Sequence, residues 1–368
     1  MAARGGRPPH PLGAGPGAAR LAGALRGSAV NVVYASSGGY AEIAGISMRS
    51  LFESNRDVEE LAVWMVDCGI GGENRRKLLS VAAEYDRALF FVHGVDPSER
   101  AGIPVAEGRW HPATFQRLFL GSLLPPEAER VLYLDCDTLV RRPLAPLWER
   151  PFGSSSALGV DDCRSGRYAA ELGLPPDAPY VGSGVLLLDL ARWRREGTEE
   201  RFLAFLRTRG GDVTYVDQGV LNGTLGALGQ TGALPPRFGA PTVLFDFPYR
   251  DLLRLRRPAH PPTEAEWRAA VEDPAVVHFT ACFYSGSRPW NADCPHPFAA
   301  EYLAHKAASP WREEPPRPDG RGPAGRLTTA AAHLLPRGLM LAVMSFLHAR
   351  AYPWARGVKS RMRRRRRG

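Results

Sequence analysis

The sequence predicts an α/β protein in which helices flank a single, mostly parallel sheet. Four apolar runs of strand length follow one another, with enough residues between them for one helix each. The runs are VNVVYA (30–35), LAVWMVD (61–67), ALFFV (88–92) and VLYLD (131–135). Strands of a parallel sheet are buried on both faces and therefore form continuous apolar runs. The intervening segments repeat apolar residues at helical spacing, such as Ile43, Ile46 and Leu51, so we expect successive βαβ units.

Composition excludes several other classes of protein. The chain has 368 residues, 44% hydrophobic and 23% charged, which is enough to bury a large core and excludes disorder throughout. Its 39 Gly and 33 Pro recur at no fixed period, which excludes collagen-like and solenoid repeats. The five cysteines are scattered, and none forms a C-x-x-C pair. This argues against a structural zinc site or a disulfide framework and favours a reducing, cytoplasmic compartment.

The formal charge of +9 is concentrated at the chain ends. Residues 320–368 contain 12 of the 47 basic residues and residues 1–27 contain four, and neither segment has an Asp or Glu. The middle, 28–319, therefore carries 31 basic and 38 acidic residues. A mildly acidic folded region does not favour nucleic-acid binding, so no nucleic-acid partner is expected.

We divide the chain into four segments. Residues 1–27 are rich in Ala, Gly, Pro and Arg, and their apolar stretch is too short for a signal peptide. We expect them to be a disordered lead or the product of a misplaced start site. Residues 28–310 are expected to form the α/β catalytic domain. Residues 311–326 are expected to be a Pro- and Gly-rich linker, and 327–368 a separate tail.

The tail combines a short apolar run with aromatic and basic residues. LMLAVMSFL (339–347) is well below the roughly 20 residues needed to span a bilayer. Tyr352 and Trp354 follow it, and residues 356–367 contain eight basic residues. This pattern favours a helix lying on an anionic membrane surface, on the inner face of the cell membrane. A disordered solubilising or RNA-binding tail is the alternative.

Two carboxylates follow the fourth apolar run. Asp135 and Asp137, in LYLDCDTLV, lie at and just beyond the carboxyl end of the expected strand, the usual ligand position in an open α/β sheet. Such a pair can bind a hard divalent cation that neutralises a diphosphate. A D-x-D tripeptide also occurs by chance, and an Asp after a strand commonly forms a turn. The tripeptide alone leaves both interpretations open.

The sequence around this pair resembles glycosyltransferase family 8, which includes glycogenin and the bacterial lipopolysaccharide galactosyl- and glucosyltransferases. Six blocks match in the family's order over about residues 30–310. They are VNVVYASSGGYAEIAGISMRSL (30–51), ATFQRLFLGSLLP (113–125), YLDCDTLVRRPLAPLWE (133–149), YVGSGVLLLDLARWRREG (180–197), YVDQGVLNGTL (215–225) and VVHFTACFYSGSRPW (276–290). The resemblance implies a GT-A type nucleotide-diphospho-sugar transferase fold.

The resemblance also implies a reaction and a cofactor. The expected activity is retaining, metal-dependent transfer of glucose or galactose from a UDP-sugar to a hydroxyl of an envelope or lipid-linked glycan. Asp135, Asp137 and His278 are the implied metal ligands. Mn²⁺ is the expected ion, with Mg²⁺ as the alternative, and an imidazole with two carboxylates suits Mn²⁺.

Further residues are implied to bind the nucleotide and diphosphate. The first loop and the D-x-D turn supply Ala35, Ser36, Ser37, Gly39, Tyr40 and Cys136. The family generally has an Asp at the position of Ser37 and an Asn at that of Gly39, so this chain departs from the family at both. Arg288 occupies the position of a Lys that contacts the diphosphate, and Gly286 precedes it in SGSRPW.

The remaining implied residues surround the sugar. Arg117 and Asp161 correspond to sugar-contacting residues, and Ser183 is expected beside them. Gly182 replaces an Asn found in many members. Gln218 matches the residue on the sugar's β face; because an amide is a poor nucleophile, we expect front-face internal return, with Gln218 orienting the sugar and Asp217 holding its hydroxyls.

Two other classes remain as alternatives. A non-catalytic UDP-sugar-binding protein of the same fold is suggested by the departures at Ser37, Gly39 and Gly182. An NAD-dependent α/β enzyme is disfavoured, because no G-x-G-x-x-G opens the first helix.

Overall fold

The computed structural model describes residues 29–105 and 111–365, and side chains as far as residue 358. The expected disordered lead at 1–27 lies outside the described residues. Ten strands occur in this part of the chain. They are β1 (Val30–Ser36), β2 (Leu61–Asp67), β3 (Ala88–His93), β4 (Arg130–Leu134), β5 (Thr138–Val140), β6 (Ala157–Asp161), β7 (Val181–Asp189), β8 (Thr231–Leu234), β9 (Ala240–Pro241) and β10 (Val276–His278). The four strands expected from apolar runs agree with β1 to β4 within one residue.

Seven strands form a central sheet in the order β3-β2-β1-β4-β7-β6-β8. Among these described strands only β7 is reversed, because it pairs antiparallel with both β4 and β6. The register of β1 on β2 runs from Val30 opposite Leu61 to Ser36 opposite Asp67. The predicted mostly parallel sheet flanked by helices is therefore confirmed.

Helices cover both faces of this sheet. The longer α-helices are Ala41–Ser54, Gly72–Glu84, Thr198–Thr208, Val216–Leu225, Tyr249–Arg256, Glu264–Glu272, Ala299–Ala307, Pro323–Leu334, Arg337–Phe346 and Tyr352–Arg365. Shorter α-helices are Pro97–Ala101, Leu120–Leu123, Ala145–Trp148, Arg167–Leu172, Leu190–Glu196 and Val243–Asp246. Turns of 3₁₀-helix span Gly38–Tyr40, Pro112–Phe119, Gly226–Leu228 and Pro236–Phe238, and a π-helical turn spans Leu347–Ala351. The expected helix near 113–125 is thus mainly 3₁₀-helix.

Alternate residues of the central strands enter two separate cores. In β1, Val32 and Tyr34 pack into the cluster on one face, whereas Val33 and Ala35 pack into the cluster on the other. This period of two is the geometry of a strand buried on both sides, and it explains why the strands appear as unbroken apolar runs in the sequence.

A second, three-stranded sheet, in the order β5-β10-β9, differs from the expected single sheet. Its strands have only two or three residues each, too few for a periodic pattern to predict them. β10 pairs antiparallel with β5 and places His278 opposite Thr138. This small sheet therefore brings the end of the domain to the D-x-D turn.

The segment expected to be a linker packs against the domain. Trp311 is 1% exposed, and its ring fills the space beside Gly45 of the first helix, where a Cβ would overlap it. Arg317 donates to Glu42 Oε2 at 2.8 Å from the following loop. Trp311 and Arg317 therefore hold the first part of this segment against the first helix.

The tail is helical and partly buried. Met340, Leu341 and Met344 lie in a third apolar cluster with Leu252 and Leu255 of the Tyr249–Arg256 helix. In the described part of the chain, no helix combines the length and the apolar character that a bilayer crossing requires.

Candidate active site

The candidate site lies at the carboxyl ends of β1 and β4. Because β7 runs the opposite way, its first residues meet the end of β4, and Asp135 N donates to Gly184 O at 2.7 Å. Thr138 holds the turn that follows β4: its hydroxyl donates to Asp135 O at 2.8 Å and lies 2.8 Å from Ser47 Oγ of the first helix. The two aspartates are thus fixed by a strand end and a side-chain hydrogen-bond chain.

Asp135, Asp137 and His278 converge beyond this turn. Each offers one ligand atom, and these atoms lie within 4.8 Å of one another. His278 Nε2 lies 3.1 Å from Asp137 Oδ1 and 3.6 Å from Asp135 Oδ2. Backbone pairing carries the histidine there, since Phe279 N donates to Asp137 O at 2.9 Å. One imidazole and two carboxylates form a donor set that fits a divalent cation such as Mn²⁺.

Gly184 makes room for this group. A Cβ added at residue 184 would overlap the ring of His278 and would lie 2.9 Å from Asp135 Oδ2. Any side chain there would therefore push the histidine away from the aspartates. Gly184 was not among the predicted site residues, although it follows Gly182 and Ser183 in the segment VGSG.

The charges of the group compensate one another. Burial opposes ionisation of Asp137, but His278 and Arg288 outweigh it and lower the pKa of the carboxyl. Burial also opposes protonation of His278, and the two aspartates outweigh that effect and raise the pKa of the imidazole. Arg288 Nη1 lies 3.4 Å from Asp137 Oδ2, so the guanidinium is aimed at the same carboxylate.

Arg117 joins the D-x-D turn to the Val216–Leu225 helix. It is 3% exposed, and its Nη2 donates to Asp135 Oδ1 at 2.8 Å. Its Nη1 donates to Ser183 O, and its guanidinium lies over the ring of Tyr133 at 4.4 Å. Burial disfavours the charge, yet Asp135 and Asp217 outweigh burial and raise the pKa of Arg117 above its usual range.

One oxygen of Asp217 has no hydrogen-bond donor among the described residues. Arg117 Nε lies 3.1 Å from Asp217 Oδ2, which is ion-pair distance, but the contact lacks hydrogen-bond geometry. Burial raises the pKa of Asp217 to about 6, against the attraction of Arg117. A buried carboxylate oxygen without a donor is costly unless a ligand hydroxyl supplies one.

Two adjoining cavities share this centre. One, of about 340 Å³, is lined by the first loop and the D-x-D turn, including Ala35, Ser36, Ser37, Tyr40 and Cys136. The other, of about 290 Å³, is lined by the predicted residues Asp161, Gly182, Ser183, Asp217, Gln218 and His278. Thr114, Arg117, Asp135, Asp137 and Arg288 line both. The D-x-D turn and two arginines therefore lie at the junction of the cavities.

Two predicted residues lie away from these cavities. Gly39 lines neither, and its carbonyl accepts from Arg317 Nη1 at 2.6 Å. Gly286 has φ +77° and lines a neighbouring space beside Arg321. The structure thus brings together the predicted set apart from these two glycines.

Three residues that the sequence analysis missed surround Gln218. Its Nε2 donates to Asp162 Oδ2 at 2.7 Å, and its Oε1 lies 3.4 Å from Ser183 N. Arg164 pairs with Asp162, and its Nη1 donates to the hydroxyl of Tyr215 at 2.9 Å. Asp162 follows Asp161 directly in the sequence, which was the available signal. Tyr215 begins the quoted block YVDQGVLNGTL, two residues before Asp217, whereas Arg164 lies in no quoted block.

The turn before the Val216–Leu225 helix is strained. Tyr215 has φ 55° and Val216 has φ 42°, and a β-branched residue rarely adopts a left-handed backbone. Each such residue costs about 1–3 kcal/mol, which the surroundings must offset. Gly219 permits the turn to fold over the helix, because a Cβ there would overlap Thr214 O. Asp217 and Gln218 follow this turn directly.

The sequence model described as Glycosyl transferase family 8 matches residues 31–294. The chain therefore belongs to glycosyltransferase family 8, and the fold described above is that of a glycosyltransferase. General stress protein A of Bacillus subtilis (strain 168) is 25% identical over 287 residues, which cover 77% of this chain and 94% of that protein. Lipopolysaccharide 1,2-glucosyltransferase of Escherichia coli (strain K12) is 24% identical over 302 residues, 81% of this chain and 83% of that protein.

Solved structures share the fold. The galactosyltransferase LgtC, in complex with donor and acceptor sugar analogues, superposes with a TM-score of 0.63 at 23% identity, covering 81% of this chain and 100% of that one. The glycosyltransferase GlyE of Streptococcus pneumoniae TIGR4 superposes with a TM-score of 0.53 at 17% identity, covering 80% and 66%. The expected GT-A type fold is thereby confirmed.

Proposed function

We propose that this glycosyltransferase is a retaining, metal-dependent hexosyltransferase that moves glucose or galactose from a UDP-sugar to a hydroxyl of an envelope or lipid-linked glycan. The observation that carries the proposal is the junction of the two cavities. A nucleotide in the first cavity and a hexose in the second would place the connecting diphosphate beside Asp135, Asp137, Arg117 and Arg288.

The donor set at this junction is proposed to hold Mn²⁺, with Mg²⁺ as the alternative. Asp135, Asp137 and His278 would be its protein ligands, and the space left by Gly184 lets the imidazole approach both carboxylates. When bound, the ion supplies positive charge next to the leaving diphosphate. Arg288 adds donors that can pair with phosphate oxygens in the same place.

The sugar end of the site is proposed to bind hydroxyls and orient the reacting carbon. Asp161 and the donor-free oxygen of Asp217 are acceptors for sugar hydroxyls. Gln218 is held by Asp162 and faces the same cavity. In front-face internal return, the bond from the anomeric carbon to the diphosphate oxygen breaks, and the acceptor oxygen bonds to that carbon on the same face. The acceptor's proton passes to the departing phosphate oxygen.

The first experiment is UDP release from a panel of UDP-sugars with Mn²⁺, comparing wild type with an EDTA control. Metal-dependent release from UDP-glucose or UDP-galactose would support the proposal and identify the donor.

The second candidate is a UDP-sugar-binding protein without turnover. It is favoured because Ser37 and Gly39 carry neither a carboxylate nor an amide side chain. Calorimetric UDP binding without release, in every envelope extract added as acceptor, would support that candidate instead.

We also propose that the tail attaches the enzyme peripherally to an anionic membrane, on the cytoplasmic side. Large apolar side chains are exposed along the tail, and residues 320–368 contain no acidic residue. The exposed apolar side chains are Leu327, Leu334, Leu335, Leu339, Val343, Phe346, Leu347, Tyr352 and Trp354. Exposed apolar side chains beside a cationic segment fit the headgroup region of anionic lipids.

Vesicle flotation tests this attachment. The wild type should float with phosphatidylglycerol-containing vesicles and not with neutral phosphatidylcholine vesicles, and salt should weaken the binding. Replacing both Phe346 and Trp354 by Ser should reduce the bound fraction, because both side chains are more than half exposed. A wild-type protein that stays unbound on anionic vesicles would contradict the attachment.

A further inference from the structure

We infer that the C-terminal helix positions the catalytic turn of this enzyme: Tyr352 and Arg356 brace residues 212–216, which present Asp217 and Gln218 to the sugar cavity. The inference rests on the proposed function for its catalytic consequence. It gives the tail a role inside the active site that is separate from membrane attachment.

Arg356 reaches the turn directly. Its Nη2 donates to Asp212 Oδ1 at 2.7 Å, and its Nε donates to Thr214 Oγ1 at 3.1 Å. The side chains of Arg356 and Asp212 are only 11% and 18% exposed, so water screens this pair less than an ordinary surface pair. One guanidinium therefore fixes two residues that lie immediately before the left-handed turn.

The residues before Arg356 hold the other side of the turn. The ring of Tyr352 lies 6.0 Å from that of Tyr215 and 6.5 Å from that of Tyr168. The π-helical turn is anchored as well, since Tyr168 donates to His348 O at 2.7 Å and Ser165 Oγ donates to Ala349 O at 2.9 Å. The tail thus covers Tyr215 from outside the cavity.

A short chain of contacts continues to the reacting groups. Tyr215 accepts a hydrogen bond from Arg164 and stacks on its guanidinium at 4.0 Å. Arg164 pairs with Asp162, and Asp162 accepts from Gln218. Because Tyr215 and Val216 hold a left-handed backbone, contacts from outside must keep the turn closed. Loss of the tail contacts would let the turn relax and would release the amide of Gln218.

The donor half of the site has a different support. Asp135, Asp137 and His278 are placed by β4, β5 and β10. Arg356 instead bonds Asp212 and Thr214, and the ring of Tyr352 lies against those of Tyr168 and Tyr215. Loss of the contacts of Tyr352 and Arg356 with residues 212–216 should therefore affect the two halves of the site differently. It should impair cleavage of the sugar–phosphate bond while UDP still binds.

The test compares Arg356→Ala with Arg356→Lys and with Arg337→Ala as the matched control. Arg337 is also a tail arginine in an ion pair, 2.6 Å from Asp251 Oδ2, but it lies away from the turn. Three quantities are measured: the Kd of UDP with Mn²⁺ by calorimetry, kcat for UDP release from UDP-glucose or UDP-galactose, and amide hydrogen exchange of residues 212–219. Within that segment, Val216 N bonds Val213 O and Gly219 N bonds Tyr215 O, so their amides report closure of the turn.

Arg356→Ala should lower kcat by about tenfold or more, when kcat is calculated per protein molecule that binds UDP. The Kd of UDP should stay within about twofold of the wild-type value. Amide hydrogen exchange of residues 212–219 should become faster. Arg356→Lys should recover part of kcat, and Arg337→Ala should match wild type throughout. Tyr352→Ala should reproduce the loss of kcat through a different contact.

Unchanged amide exchange and unchanged kcat in Arg356→Ala would overturn the inference. Joint loss of UDP binding and turnover would also overturn it. If wild type releases no UDP, the proposed function fails, whereas the exchange comparison still decides whether the tail holds the turn.

Discussion

The two halves of the active site are built by different means. The strand-end half, Asp135, Asp137 and His278, is fixed by backbone pairing of β4, β5 and β10. The turn half, Asp217 and Gln218, depends on a strained turn and on side chains from distant parts of the chain. Backbone ladders tolerate little displacement, whereas side-chain contacts can be weakened one at a time. We therefore expect substitutions to abolish function in the first half and to reduce it gradually in the second.

The largest expected effect comes from Asp137→Ala in the strand-end half. The substitution removes a proposed metal ligand and leaves His278 and Arg288 without their shared carboxylate. Metal-dependent UDP release should fall by at least about 100-fold, the usual cost of removing a group that stabilises developing charge. Asp273→Ala is the control, because Asp273 is a half-exposed surface carboxylate paired with Arg142. Activity within about tenfold of wild type would show that Asp137 is not essential.

Gly184→Ala should sharpen the comparison, because it changes the strand-end half without removing a charged group. The added Cβ would overlap the ring of His278, so the imidazole must move away from Asp135 and Asp137. The Mn²⁺ concentration required for half-maximal UDP release should rise by about 10- to 100-fold, as for other displaced metal ligands. Gly72→Ala is the control, since a Cβ there meets nothing within 4 Å. An unchanged Mn²⁺ requirement would show that His278 is not needed at its present position.

The difference between the halves also determines what the sequence could predict. β1 to β4 were predictable because buried strands form apolar runs, and Asp135 and Asp137 follow such a run. β5, β9 and β10 are too short to show a period, so the small sheet was missed. Resemblance to the family, and not periodicity, brought His278 into the prediction.

Other features depend on contacts that no local pattern encodes. The role of Gly184 follows from which side chain occupies the space beside it. Arg356 is 144 residues from Asp212, so only the folded chain shows that the tail touches the turn. A basic residue in a basic segment is most simply interpreted as part of a charged surface, which is why the tail was expected to stand apart from the catalytic domain.

Gln218→Ala tests the turn half directly. If Gln218 orients the sugar without forming a covalent bond to it, its loss should lower kcat by about 10- to 100-fold and leave measurable turnover. The Kd of UDP should stay unchanged, because Gln218 lines the sugar cavity and not the nucleotide cavity. UDP release and calorimetry measure the two quantities. Loss as complete as that of Asp137→Ala would contradict this division of roles and would favour a covalent mechanism.

The smallest effect concerns stability, at Asp161, which ends β6 and lines the sugar cavity. Burial, with a further contribution from Asp162, raises the pKa of Asp161 from 3.8 to about 6. The folded protein therefore binds this proton more tightly than the unfolded chain does. The contribution of the protonated carboxyl to stability is fully present below the unfolded pKa of 3.8 and is lost as the pH rises from there to about 6. At pH 8 the ionised carboxylate should cost about 2–3 kcal/mol of the free energy of unfolding.

Asp161→Asn should remove this cost, since an amide oxygen can still accept the hydrogen bond from Cys163 N, at 2.9 Å in the present structure. Urea unfolding should show the variant more stable than wild type at pH 8 and at pH 6, with the difference shrinking between pH 6 and pH 4 and absent at pH 3. Asp57→Asn, at an exposed position, should show no such trend. A variant less stable than wild type at pH 8 would mean that the ionised carboxylate contributes favourably to the fold. A more stable variant with impaired UDP release would instead show that the sugar cavity retains a destabilising carboxylate for its chemistry.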